Sequence, residues 1–279
     1  MPSQPIFRFA PSPNGYLHLG HAYSALFTWR AASAAGGTAL LRIEDVDTTR
    51  CRPEFDAAII EDLHWLGLDW PEPVMRQSDR FPVYAEAADR LRERGLLYPC
   101  FCSRAQMAAS RGPDGGQFYH GTCRSLSHDE RSRRIRAGKP HAWRIAMDQA
   151  LAQTGPLAWR ETDIGTGAID ETLAQPERWG DTVVVRKDAP ASYHLSVVID
   201  DAAQGITHVT RGRDMEASTD VHVVLQALLG LPAPIYAFHP LVLDESGDKL
   251  AKSADSTSLR ALREGGWSRQ DVRSRLGFG

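Results

Sequence analysis

The chain has 279 residues, 42% hydrophobic and 24% charged, enough for a substantial core in one large or two ordinary domains. A net charge of -3 excludes a globally basic nucleic-acid binder, so any such contact must come from a local patch. No basic-then-apolar leader opens the chain and no window reaches the roughly 18 apolar residues of a membrane span, so a soluble, cytoplasmic protein without a membrane partner is expected.

In chain order, residues 6–10 read as a short strand and 11–17 as a loop rich in Pro, Gly and Asn. Residues 18–35 are rich in Ala and Leu and are stopped by Gly36-Gly37, the pattern of a buried helix. An apolar strand over 38–43 runs into "EDVD". Phe55, Ile59, Leu63 and Leu66 mark one face of a helix, and Tyr84, Ala88 and Leu91 another that ends near Gly95. From about 98 to 188 the texture changes to cysteines, basic residues, Gly and Thr, with short strand candidates such as 182–186. Alternation then returns, with an apolar run at 193–199, a strand at 207–210, a helix over 218–229 before Gly230, and strands at 235–238 and 241–243. Residues 257–279 read as two short helices. Strands alternating with helices imply an α/β fold with a parallel sheet, and the different central block implies an inserted domain. The expected division is 1–97, first half of the sheet domain; 98–188, insert; 189–243, second half; and 244–279, a loop with short helices.

The loop "APSPNGYLHLGH" follows the first strand, where open α/β sheets bind ligands. A helix starting near His18 offers unpaired N–H groups to an anion, and His18 and His21 share one face. Gly20, with no side chain, leaves room for a flat ring such as adenine. Alone, the short His-x-x-His pattern is ordinarily just a capped helix with hydrogen-bonded histidines. Downstream, "DKLAKSADSTS" sets Lys249 and Lys252 in a polar loop. Two ammonium groups there suit a polyphosphate, although lysine pairs in loops are ordinarily solvated. At strand ends, Arg8 and Arg211 present forks for a carboxylate, Glu44 an anion for an ammonium, and Tyr193 a phenolic donor.

Four cysteines occur, and Cys100, Cys102 and Cys123 fall close together. In a reducing compartment that favours metal over disulfide. Three thiolates suit zinc, whose fourth ligand would be Tyr119 or His120, with His128 farther off; ligand chemistry alone favours His120. Three unliganded cysteines are the alternative. Cys51 stands apart as an ordinary thiol.

Together, "PSPNGYLHLGH", the interrupted α/β halves and "KLAKS" resemble the class I aminoacyl-tRNA synthetases, and "RFAPSPNGYLHLGH" followed by "LLRIEDVDTTR" resembles their glutamyl branch. The resemblance runs from Arg8 to about Ser253, with Ala251 where a Ser is common. It implies a Rossmann-like parallel sheet with an inserted, zinc-containing α+β domain. It also implies attack of an amino-acid carboxylate on ATP, which brings Mg2+, with His18, His21, Lys249 and Lys252 on the phosphates. Around bound L-glutamate it places Arg8, Ala10, Ser12, Glu44, Tyr193 and Arg211. Two guanidinium groups facing a neutral amide would reject glutamine.

Only 26 residues follow Ser253, where glutamyl-tRNA synthetases continue into an anticodon-reading domain. With "YHGTC", and with Val197 where glutamyl enzymes tend to carry Asn, the layout resembles the glutamyl-queuosine tRNA(Asp) synthetases. That resemblance implies Tyr119 as fourth ligand of one structural Zn2+, glutamate activation without tRNA, and transfer to queuosine at the wobble position of tRNA(Asp). The anticodon stem-loop would occupy the cleft, and the seven Lys/Arg of 124–144 would contact its phosphates. A monomer is expected. The alternatives are a minimal glutamyl-tRNA synthetase charging the 3′ end and a non-catalytic RNA-binding paralogue.

Overall fold

A computed structural model describes residues 4–103, 105–107, 119, 121–242 and 257–279. The elements are β1 (Ile6–Phe9), α1 (Leu19–Ala34), β2 (Thr38–Ile43), α2 (Pro53–Trp65), β3 (Met75–Arg76), α3 (Phe81–Glu93), β4 (Leu97–Cys100), α4 (His128–Arg136), β5 (Ala142–Ile145) and α5 (Met147–Thr154). They continue with β6 (Ala158–Thr162), β7 (Ile169–Leu173), β8 (Val183–Val185), α6 (Tyr193–Ala203), β9 (His208–Gly212), α7 (Thr219–Leu229), β10 (Ile235–His239), α8 (Leu259–Glu264) and α9 (Arg269–Arg275).

Seven strands form the large sheet in the order β3-β2-β1-β9-β10-β6-β7. All neighbours are parallel except the β6–β7 pair, so the sheet is mixed rather than wholly parallel. β1 lies between β2 and β9, so successive connections leave it toward one side and return on the other. The C-terminal ends of β1 and β9 therefore bound a topological switch point, the place where open α/β sheets form their ligand crevice.

The block 98–188 is divided between two sheets. β4, β5 and β8 make a small antiparallel sheet, whereas β6 pairs with β10 and carries β7 onto the edge of the large sheet. Burial explains this placement. Trp159 is buried between its exposed neighbours Ala158 and Arg160, and it packs edge-on against Tyr236 and Phe238 of β10.

The periodic faces behave as their spacing requires: Ile59, Leu63 and Leu66 of the α2 segment are fully buried, beside Leu259 and Val272 of α8 and α9. Phe55 lies nearer the surface, stacked edge-on against Tyr16. α7 ends at Gly230 in the left-handed conformation, φ 69° and ψ 34°, which glycine adopts without penalty. Of the strand expected over 241–243, Leu241 and Val242 are irregular and Leu243 lies outside the described residues. Among the described residues, no helix is long and apolar enough to cross a membrane.

At the entry to β2, a Cβ on Gly37 would lie 2.4 Å from the Pro5 carbonyl oxygen, which accepts the Thr38 N–H. Gly37→Ala is therefore expected to cost about 1–3 kcal/mol in urea unfolding, whereas Gly15→Ala, with nothing within 4 Å of the added Cβ, should stay within about 0.5 kcal/mol.

Candidate active site at the switch point

α1 starts at the crevice, and its first turn is closed by two imidazoles. His18 Nδ1 accepts the Gly20 N–H at 3.1 Å, and His21 Nδ1 accepts the His18 N–H at 3.2 Å. This is a capping box made of histidines, with ring centroids 3.8 Å apart. Because each Nδ1 accepts, the neutral rings carry their proton on Nε2, as donors. A Cβ on Gly20 would sit 3.0 Å from His18 Cε1, so this glycine makes room for the imidazole. Ser258 bridges to His18, and the Leu259 N–H meets the Leu17 carbonyl at 2.7 Å. Lys249 and Lys252 lie outside the described residues.

Beneath the histidines is a buried charge network absent from the sequence reading. The β1 residue Arg8 donates from Nε to Asp201 Oδ1 at 3.1 Å, from Nη2 to Oδ2 at 3.4 Å, and from Nη1 to the Thr210 carbonyl. Arg42 donates to the same Asp201 Oδ1 at 2.7 Å and to Glu44 Oε1 at 3.1 Å. Arg8 is therefore not an empty fork: three of its five donors are already taken. Burial opposes ionisation of Asp201, but Arg8 and Arg42 overcome it and hold its pKa below the usual carboxylate value. Burial raises the Glu44 pKa, opposed by Arg42 and Arg8. The neighbouring Asp200 accepts from Gln77, Arg80 and the Tyr84 hydroxyl at 2.9, 2.7 and 2.6 Å.

Arg211, at the end of β9, is 6% exposed and differs in kind. Its guanidinium meets His222 Nδ1 at 3.3 Å and Thr219 Oγ1, and lies over the rings of Tyr236 and Phe238 at 5.0 and 5.5 Å. All of these partners are neutral, and no carboxylate among the described residues pairs with it. Burial raises the Tyr193 pKa against the nearby charges of Arg211 and Arg8, with Glu44 adding to the rise. The two guanidiniums thus act on one phenol. Ser12 Oγ stands 3.7 Å from Cys51 Sγ, and Ala10 and Ser12 are half-buried in the loop after β1. Val197 is buried in the core that packs α6 on α7.

In the small-sheet region, the sulfurs of Cys100, Cys102 and Cys123 lie within 4.8 Å of one another, a grouping that could hold a metal ion. Cys102 and Cys123 are 3.5 Å apart, close to the roughly 3.8 Å edge of a tetrahedron with zinc–sulfur bonds of about 2.3 Å. The Tyr119 oxygen joins them, accepting the Cys123 N–H at 2.6 Å. His120 lies outside the described residues, and His128 begins α4, where its Nε2 is 3.4 Å from Ser132 Oγ.

The family model described as tRNA synthetases class I (E and Q), catalytic domain, matches residues 6–277. A glutamyl-Q tRNA(Asp) synthetase of Rhodobacter capsulatus is 46% identical over 98% of this chain and 100% of its own length. The chain belongs to the class I tRNA synthetases, in the glutamyl-Q tRNA(Asp) synthetase group. It is thus a ligase of the tRNA synthetase family. A glutamate–tRNA ligase of Aquifex aeolicus is 39% identical over 93% of this chain, which spans 54% of that relative. The crystal structure of a glutamate tRNA ligase from Elizabethkingia meningosepticum in complex with its amino acid aligns with a TM-score of 0.69 at 29% identity. It covers 95% of this synthetase, which spans 54% of that chain.

The basic run of this synthetase is less available than its composition suggests. Arg124 pairs with Asp148, Arg134 with Glu130, Arg144 donates to the Asp181 carbonyl and lies 3.9 Å from the Tyr119 ring centroid, and Arg131 lies over Tyr98. Arg133, Arg136 and Lys139 are the exposed members, and Arg133 also pairs with Glu130.

Among the residues missed from sequence, Arg42 and Asp201 left one signal: each is a charge inside an apolar run, "LLRI" and "VVIDD". His222 left none. Burial, with Arg211 and His194 adding, holds His222 well below the usual histidine pKa, so it is neutral in the fold. Once unfolded it takes up a proton below about pH 6.5. Its contribution to stability is therefore full above that value and is lost as pH falls, at about 1.4 kcal/mol per pH unit. Chemical unfolding between pH 8 and 5 should show this loss in the wild type and a smaller slope in His222→Asn.

Proposed function

We propose that this synthetase joins L-glutamate to ATP as glutamyl-adenylate without tRNA and then transfers the glutamyl group to queuosine at the wobble position of tRNA(Asp). The observation that carries the amino-acid reading is Arg211, a buried guanidinium with only neutral partners among the described residues. A buried charge needs an opposite charge, so the site calls for an anion there. In formal charges Arg8 and Arg42 balance Asp201 and Glu44, and Arg211 leaves an excess of one positive charge. Glutamate, with two carboxylates and one ammonium, matches that excess, whereas glutamine does not.

The γ-carboxylate meets Arg211 and the Tyr193 hydroxyl, with the field of Arg8 behind them. The ammonium faces Glu44, and Ala10 and Ser12 line the chain between. The α-carboxylate attacks the α-phosphorus, and pyrophosphate leaves in line. No protein nucleophile is required, so catalysis is positioning and charge stabilisation. His18 and His21 donate from Nε2 to phosphate oxygens; Lys249 and Lys252 take the leaving pyrophosphate. Mg2+ arrives on ATP, held by phosphate and water. A structural zinc ion held by Cys100, Cys102, Cys123 and Tyr119 would pin the segment before α4 to β4. The names of the relatives that match nearly whole support queuosine as acceptor. A cytoplasmic monomer fits these substrates.

Four measurements test this reading. Glutamate-dependent exchange of pyrophosphate into ATP should proceed without tRNA; no exchange would favour a non-catalytic RNA-binding paralogue. Labelled glutamate should then appear on tRNA(Asp) containing queuosine and not on the same tRNA lacking it. Label on both, at the 3′ end, would make the protein a minimal glutamyl-tRNA synthetase. Arg211→Ala should raise KM for glutamate about 10- to 150-fold, the equivalent of losing a charge-assisted hydrogen bond of about 1.5–3 kcal/mol. Metal analysis should find about one zinc per chain, lost on Cys123→Ser.

A further inference from the structure

The partners of the two site guanidiniums differ in charge. Arg8 rests on a carboxylate, Asp201, while Arg211 rests on an imidazole. His222, on α7, is 2% exposed, and its Nδ1 is 3.3 Å from Arg211 Nη1. A guanidinium only donates, so Nδ1 is the acceptor and the ring proton sits on Nε2. That Nε2 lies 3.2 Å from His194 Nδ1, to which it donates. The order Arg211 to His222 to His194 gives every hydrogen bond one direction and leaves His222 uncharged.

We infer that His222 is a positioning residue that aims Arg211 without neutralising it, and so sets the preference of the site for an anionic over a neutral amino-acid side chain. The inference rests on the glutamate reading above and extends it to a residue behind the ligand. A carboxylate in the place of Nδ1 would aim the guanidinium equally well but cancel its charge. The excess positive charge that selects glutamate would vanish, and a neutral amide would become the better match.

His222→Asn and His222→Asp place an oxygen at the same number of bonds from Cα as Nδ1 and have nearly the same shape, differing in charge and in an amide NH2 against a second carboxylate oxygen. Both are assayed by pyrophosphate exchange with glutamate and with glutamine, after equal thermal unfolding midpoints are verified. His222→Asn should keep KM for glutamate within about threefold. His222→Asp should raise it by about 100-fold or more with kcat little changed, and should shift kcat/KM toward glutamine by a similar factor. Equal behaviour of the two variants overturns the inference while leaving the glutamate reading intact; absence of glutamate-dependent exchange in the wild type overturns both. If His222→Asp does not fold, His222→Leu, which removes the acceptor without adding charge, should raise KM about tenfold with kcat retained, and an unchanged KM overturns the positioning role.

Discussion

A carboxylate buried between two guanidiniums holds the switch point together. Asp201, on α6, binds Arg8 of β1 and Arg42 of β2 at once. Taking three charged groups out of water costs several kcal/mol for each ion, and the cost is recovered only if the groups meet in good geometry. The network thus acts less as a source of net stability than as a constraint on position: any shift of α6 relative to β1 or β2 leaves a charge stranded. Asp200 applies the same constraint in another direction, tying α6 to Gln77, Arg80 and Tyr84 around α3. Two adjacent aspartates on one helix therefore tie α6 to β1, β2 and the start of α3.

On this frame, the two arginines differ in charge state. Arg8 is compensated in the fold by Asp201. Arg211 is buried among an imidazole, a hydroxyl and two aromatic faces, none of which offsets its charge. The histidines of α1 follow a related logic. Each uses Nδ1 to cap the helix and directs its donor nitrogen elsewhere, so one hydrogen-bond pattern both ends the backbone ladder and fixes a tautomer.

The small sheet is tied to the same region by polar hubs rather than by a shared apolar layer alone. Asp181 accepts from the Tyr98 hydroxyl and the Met147 N–H, joining β4, the start of α5 and the strand that follows. Arg186, just beyond β8, pairs with Asp47 of "EDVD" at 3.2 Å, which links the cysteine-bearing lobe to the loop after β2. Lys187 donates to the carbonyls of Phe101 and Cys102, holding the chain beside the thiol cluster.

Much of this was legible in one dimension. Helical and strand spacings over β1, α1, β2, α2 and α3, and the stop at Gly230, follow from local rules of burial and backbone freedom that need only near neighbours. The loop motif and the strand-end positions of Arg8, Glu44 and Arg211 placed candidate groups on one sheet end. What the sequence could not express was which charges cancel. That Arg8 is neutralised by Asp201, nearly two hundred positions away, and Arg211 by nothing among the described residues, depends on three-dimensional adjacency. So does the destination of the β6–β7 hairpin, whose alternating pattern suits either sheet until Trp159 meets Tyr236 and Phe238. Periodicity alone told which residues avoid water, whereas pairing of buried charges, being a matter of a few ångströms between remote segments, was decided only when the chain folded.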